Sequence, residues 1–263
     1  MTQRTSTDRP SLPASFEPPA PSIDGVRLIA VFSDVVQLIG QALPASSEVV
    51  LHDLSRLPDS IVAVHGDVTG RRKGDPATDL LLEEAMTGFA TQHLGYETVL
   101  PDGRRLTSST MIIRDVAGAP VAALCINTDV SSWIAVRKIA ESMLGSVAGA
   151  EPVEPAPAGP SETPEVFLRD VDELAAHLIH QAIADSDIPV EQMKKEHKLE
   201  VVQKLKARGM FLLRDAVEMI AESLQVSRFT IYNYLNEIGD TETEASSRRS
   251  ASTARTTRGT RET

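Results

Sequence analysis

Ser227, Arg228, Phe229, Thr230, Tyr232 and Asn233 place two hydroxyls, a guanidinium, a flat apolar ring, a phenol and a carboxamide in close succession. This mixture is suited to noncovalent recognition, because guanidinium and carboxamide groups pair with base edges while hydroxyls and ring faces suit the sugar-phosphate backbone. The elements that hold these side chains can be read from the apolar residues around them. Val217, Ile220, Ala221 and Leu224 fall on one helical stripe, and Val226, Ile231 and Leu235 supply the facing stripe of a second helix. Ala221 is small where two crossing helices would meet. Ser227 is suited to cap the second helix, its hydroxyl accepting one backbone N–H and leaving others for a phosphate. An αα-hairpin inside an ordinary bundle would share the apolar spacing. The order Val-Ser-Arg-x-Thr-Ile-Tyr adds the cap and the polar face, which points to a helix-turn-helix over 216–236 with double-stranded DNA as its partner.

The formal net charge of −11 is unfavourable for a phosphate-binding chain. Local distribution matters more. Lys194, Lys195, Lys198, Lys204, Lys206, Arg208, Arg214 and Arg228 cluster in and before the two helices, interleaved with Glu196, Glu200, Asp215, Glu218 and Glu222. Lys206, Arg208 and Arg214 are the expected phosphate contacts beside Ser227. The same charges would also serve as an ordinary solvated helix surface.

A length of 263 residues suits two domains. No apolar run is long enough for a membrane helix, and the first residues lack the apolar core of a secretion signal, so a cytoplasmic protein with no membrane partner is expected. The single cysteine, Cys125, fits a reducing compartment and rules out a Cys-based zinc finger within one chain. Residues 1–22 read as a disordered tail, 146–165 as a Pro-rich acidic linker, and 241–263 as a disordered Arg/Ser/Thr tail. Between them lie an α/β unit at 23–145 and a helical DNA-binding unit at 166–240.

In the first unit, helical spacing over Val26 to Leu43 precedes β-rich runs at Glu48 to Leu54 and Ile61 to His65. A helix at Asp79 to His93 follows, then strands at Glu97 to Leu100, Leu106 to Asp115 and Pro120 to Asn127, and a closing helix at Ser131 to Leu144. Two strands, helical material, three strands and a last helix make the order of a PAS-type sensor: an antiparallel sheet with helices, followed here by an all-α helix-turn-helix domain.

Particular residues sharpen this reading. His52-Asp53, the segment Val64 to Asp79 with Gly66, Gly70, Arg71 and Gly74, the run Ser108-Ser109-Thr110, and Leu124 to Asp129 resemble the YheO-like PAS regulators. The stretch from Gly209-Met-Phe211 to Tyr232-Asn-Tyr-Leu235 resembles the helix-turn-helix domain of the same family. Where the family commonly shows Asn-Gly, this chain has His65-Gly66, and its linker is long and Pro-rich. The resemblance implies a transcriptional regulator that performs no chemistry on a substrate, with amino acids and their keto-acid products as the first effector candidates.

The candidate effector pocket comprises His52, Arg71, Ser108, Thr110, Asn127 and Asp129. Ser108 and Thr110 point to one side of a strand and Ser109 to the other, so two hydroxyls can face a cavity together or be satisfied by neighbouring backbone. Asn127 and Asp129 can orient a ligand at the rim, and Asp129 can instead cap the last helix. Gly66, Gly70 and Gly74 suit tight turns around Arg71, Asp79 suits a helix cap, and Cys125 reads as a small buried hydrophobe.

Catalysis is disfavoured. His52-Asp53, His65 and Ser108 would form a Ser/His/Asp set only if the fold gathered them, and His52, His65 and His93 would hold a metal on the same condition. The chain has no Gly-x-Ser-x-Gly elbow, Walker loop or His-Glu-x-x-His helix. No cofactor and no metal are expected. The competing functional reading is a protein-interaction adaptor built on the PAS unit and a helix from Val166 to Ala184, where Phe167, Val171, Leu174 and Leu178 form a stripe open to two uses, a dimer seam or packing on its own domain. One recognition helix reads few base pairs, so a homodimer or larger even assembly is expected.

Overall fold

The computed structural model describes residues 18–90, 92–144 and 165–239. The expectations for most of both tails and nearly all of the linker fall outside these residues. The chain separates into two compact units, with the division between Leu174 and Ala175.

The first unit begins with α1, Ile23–Ala42, whose N-cap Ser22 accepts the Gly25 N–H. Strands β1 (Ser47–Asp53) and β2 (Ile61–His65) follow, then α2 (Asp79–Met86), β3 (His93–Val99), β4 (Arg105–Arg114), β5 (Pro120–Asp129) and α3 (Ser131–Leu144). The five strands form one sheet in the order β2-β1-β5-β4-β3, every neighbouring pair antiparallel. The expected PAS-type architecture is therefore present.

Side-chain alternation divides the sheet into two faces. Val49, Leu51, Ala122 and Leu124 pack with Val36 of α1, and Ile29, Phe32 and Ile39 complete this cluster. Gly40 permits the close approach of α1 to β2, since a side-chain carbon there would collide with the His65 ring. The opposite face carries Glu48 and His52 from β1, Ser108 and Thr110 from β4, and Cys125 and Asn127 from β5, all buried.

Three boundaries differ from expectation for physical reasons. Helix α2 stops at Met86, before the expected His93, because Gly88 and Phe89 turn into positive φ and Phe89 is buried at 2 % exposure. That turn frees His93 to start β3, where it pairs with Thr110 and its ring meets the Glu84 carboxylate at 2.7 Å. Thr78 rather than Asp79 caps α2, its hydroxyl accepting the Leu81 N–H. The Asp79 carboxylate accepts the N–H groups of Leu80 and Val166.

The third difference is at α4, which covers Val171–Ala184 rather than starting at Val166. Asp170 accepts the N–H groups of Asp172 and Glu173, so the helix starts from this cap. Phe167 leaves the helical stripe and joins Val68, Leu100 and Leu106 in a cluster of the first unit. Leu174 and Leu178 are fully buried within the chain. Of the two uses open to this stripe, packing within the chain accounts for Leu174 and Leu178.

The second unit continues with α5 (Lys195–Ala207), α6 (Ala216–Ser223) and α7, residues 228–239. Ile220, Ala221, Leu224, Ile231, Tyr234, Leu235 and Ile238 are buried between these helices. Each large apolar side chain so buried contributes about 1.5 to 3 kcal/mol.

Candidate functional site

The turn between α6 and α7 is closed by three backbone bonds: Leu224 N–H to Ile220, Gln225 N–H to Glu222 and Val226 N–H to Ala221. The last two form a Schellman ending, with Gln225 in the left-handed region at φ 52° where glycine is usual. The Lys198 ammonium donates to the Leu224 carbonyl at 2.7 Å, satisfying the negative end of α6. Ser227 then caps α7, its hydroxyl accepting the Thr230 N–H at 3.2 Å. This is the expected cap.

Burial of Ile231, Tyr234, Leu235 and Ile238 turns the other side of α7 outward. Arg228, Phe229 and Asn233 are exposed, Phe229 at 63 %. Thr230 and Tyr232 are only partly exposed, and the Thr230 hydroxyl is already bonded to that of Ser227 at 2.9 Å. Asn236, which the spacing argument passed over, shares the exposed face one turn beyond Tyr232. The Arg228 guanidinium lies 5.6 Å from the Phe229 ring centroid and 4.0 Å from Glu218.

Much of the expected basic cluster is engaged inside the fold. Lys195 pairs with Glu237, Lys204 with Glu200, and Arg208 donates to Gln181 at 2.8 Å and Asp185 at 3.2 Å. Arg208 is thus tied to α4 and its C-terminal end. Arg214 is exposed at the start of the α6 region, and Lys206 also has interactions within the protein.

In the first unit, strand register places four polar side chains in one row. Tyr96 pairs with Ser108, Ser108 with Asn127, and Asn127 with Glu48. The Ser108 hydroxyl donates to Asn127 Oδ1 at 2.9 Å, and Asn127 Nδ2 donates to Glu48 at 3.3 Å. The Glu48 carboxylate also accepts the Thr69 N–H and hydroxyl. Beside this row, Thr110 donates to Cys125 Sγ and meets the Tyr96 hydroxyl at 3.1 Å. Burial pushes the Cys125 thiol up to about 12.

Arg71 reaches this polar face from the glycine-rich loop, where Gly66, Gly70 and Gly74 all have positive φ. It is 2 % exposed, its Nε donates to the Thr69 hydroxyl, and its guanidinium carbon stands 4.8 Å from the Phe167 ring centroid. Arg71 Nη1 is buried without a hydrogen-bond partner. Glu165 is buried on the same face and accepts from the Tyr96 hydroxyl at 2.9 Å. Burial raises the Glu165 carboxyl above the usual carboxylate range.

The fold thus brings Arg71, Ser108, Thr110, Asn127 and His52 to one face of the sheet. His52 Nδ1 bonds the Ser60 hydroxyl at 2.8 Å, and burial, then the Arg71 charge, hold its pKa well below the ordinary value. Asp129 lies at the end of β5, where it accepts the Ser131 N–H and faces Arg104 at 3.7 Å. Tyr96, Glu48, Glu165 and Phe167 were absent from the expected pocket. The cross-strand register with Ser108 and Asn127 would have found the first two only once the pairing was known.

The imagined catalytic and metal sets do not assemble. His52 meets Ser60 rather than Ser108, Asp53 accepts from Ser55, His65 meets Gln37 and His93 meets Glu84. No helix among the described residues is long and apolar enough to cross a membrane.

Comparison with known proteins agrees with this geometry. The model of the YheO-like PAS domain matches residues 24–145, and that of an HTH domain matches residues 174–236. The chain thus carries a YheO-like PAS domain followed by an HTH domain. It is 29 % identical to the transcriptional regulator DauR of Pseudomonas aeruginosa over 195 residues, covering 73 % of this chain and 85 % of that protein. It is 25 % identical to the uncharacterized protein YheO of Escherichia coli over 219 residues, covering 80 % and 84 % of the two chains. An uncharacterized protein of Haemophilus influenzae is 27 % identical over 217 residues, covering 80 % and 88 %.

Proposed function

We propose that this YheO-like regulator acts in the cytoplasm as a homodimeric, sequence-specific DNA-binding protein whose PAS-like unit senses a small amino-acid-like effector. The observation that carries the DNA reading is the exposed face of α7, where Arg228, Phe229 and Asn233 stand opposite the buried Ile231, Tyr234, Leu235 and Ile238. Arg228 and Asn233 are the base-reading groups, with Tyr232 at the edge of the contact. Ser227 and Arg214 position phosphates, and Thr230 holds the cap through Ser227. The likeness to the transcriptional regulator DauR supports the same reading.

Helix α3 supports the dimer. It is exposed along most of its length, yet it carries Trp133, Val136, Ile139 and Met143 as large exposed apolar groups. A 14-residue helix is only marginally stable in water without packing, so this face calls for a partner surface, and a second copy supplies an identical one. Two recognition helices then read half-sites about one DNA turn, ~34 Å, apart.

Sequencing of genomic fragments retained by the purified protein tests the function. Enrichment of one motif with two half-sites is expected, with weaker enrichment and relaxed preference at one base pair of each half-site in Asn233→Ala. Retention independent of sequence would favour the adaptor reading.

A further inference from the structure

The segment from Glu165 to Arg169 lies on the sensor's polar face as an extended strap, and each anchor has a separate chemical basis. Glu165 accepts from Tyr96, Val166 N–H donates to Asp79, and Phe167 covers Arg71. Arg169 lies so close to Gly70 that any side chain at 70 would collide with its guanidinium. Asp170 then caps α4, so the strap runs directly into that helix.

The strap leaves the site incompletely satisfied. Arg71 is buried with one N–H-bearing nitrogen unpartnered, although a carboxylate is buried on the same face. An orphaned guanidinium nitrogen costs free energy that a closely placed anion recovers, and a planar carboxylate matches its fork. Glu165 is tethered by the chain and bonds Tyr96 instead.

We propose that a small carboxylate ligand binds between Arg71 and Tyr96 in place of Glu165, and that its entry releases the strap ahead of α4. The proposal rests on the sensing reading above and names its ligand class and its moving part. Glu165 is an internal competitor: its carboxylate holds the Tyr96 hydroxyl that a free carboxylate would take, and Phe167 closes the Arg71 face.

The test uses the full chain, propionate as the probe carboxylate and propionamide as its neutral counterpart, with hydrogen exchange read over residues 165–170. Saturating propionate is expected to speed exchange there about tenfold in the wild type, and propionamide to leave it unchanged. Because a competitor that occupies the site lowers apparent affinity by the fraction of sites it fills, Glu165→Ala should bind propionate about tenfold more tightly. Arg71→Lys keeps the charge but loses the fork, so it should weaken propionate binding about tenfold. The idea is overturned by equal effects of propionamide, by no propionate binding in either wild type or Glu165→Ala, or by binding that leaves residues 165–170 protected. Motif retention on DNA is measured in parallel. Its persistence while the strap fails to respond would sink the strap alone, whereas its absence would sink the DNA reading.

Discussion

The Ser108 hydroxyl donates to the Asn127 side-chain oxygen at 2.9 Å, both groups buried, on residues that face each other across β4 and β5. Ser108→Ala leaves that acceptor unpaired away from water, which should cost about 1 to 3 kcal/mol. Asn127→Ala should cost more, since it also strips a donor from Glu48. Urea unfolding of the two single variants and the double variant gives the coupling, and strict additivity would show that the pair does not act as one network.

At the DNA face, Arg228→Ala and Asn233→Ala should each lose about 1 to 3 kcal/mol of operator affinity and relax preference at one base pair. Arg214→Ala should instead weaken all sequences alike and reduce the salt slope by about one. Arg208→Ala should lower stability through loss of its Gln181 and Asp185 bonds. Binding isotherms at several salt concentrations separate these classes, and an unchanged base preference in both reading variants would move recognition to another surface.

Gln225 holds a left-handed conformation in the turn between α6 and α7. Removing its β-carbon relieves a penalty of roughly 1 kcal/mol, so Gln225→Gly should raise the denaturation midpoint of the DNA-binding unit. A lower midpoint would mean that the Gln225 bond to Glu191 outweighs the backbone cost.

Trp133 is the only tryptophan in the chain and sits on the exposed face of α3. Dilution from the dimer should therefore shift its fluorescence to the red, and Val136→Glu should give that shifted spectrum at all concentrations. Sedimentation must change with it; a dimer that survives Val136→Glu with unchanged affinity would place the interface elsewhere.

His52 is buried and bonded to Ser60, with its pKa depressed. The unfolded chain takes up a proton below about pH 6.5 that the folded chain resists, so the stability present above that pH is lost as the pH falls. The sensor's unfolding midpoint should decline from pH 7 toward about pH 5, and His52→Gln should flatten the decline. An identical slope in the variant would assign the loss to other groups.

The recognition half was legible from the chain because its information is local. Apolar residues at helical spacing determine which face of α7 is buried, and the same spacing leaves Arg228 and Asn233 outward; Ser227 caps the helix from within its first turn. Strand order and the closing α3 were also readable, since periodicity and Gly/Pro turns act over short distances. The polar row was not. Tyr96, Ser108, Asn127 and Glu48 meet only because antiparallel register aligns four strands, and a shift of one residue would turn each side chain to the other face. Helical spacing assigned Phe167 to α4, but burial beside Val68 and Arg71 holds it in an extended strap. The local run of Lys and Arg likewise suggested a basic face, whereas tertiary pairing engages Lys195, Lys204 and Arg208 within the fold. Local spacing determined which face of α7 is exposed; long-range packing decided which polar groups meet on the sheet of the PAS-like unit, because those contacts join residues far apart in the chain.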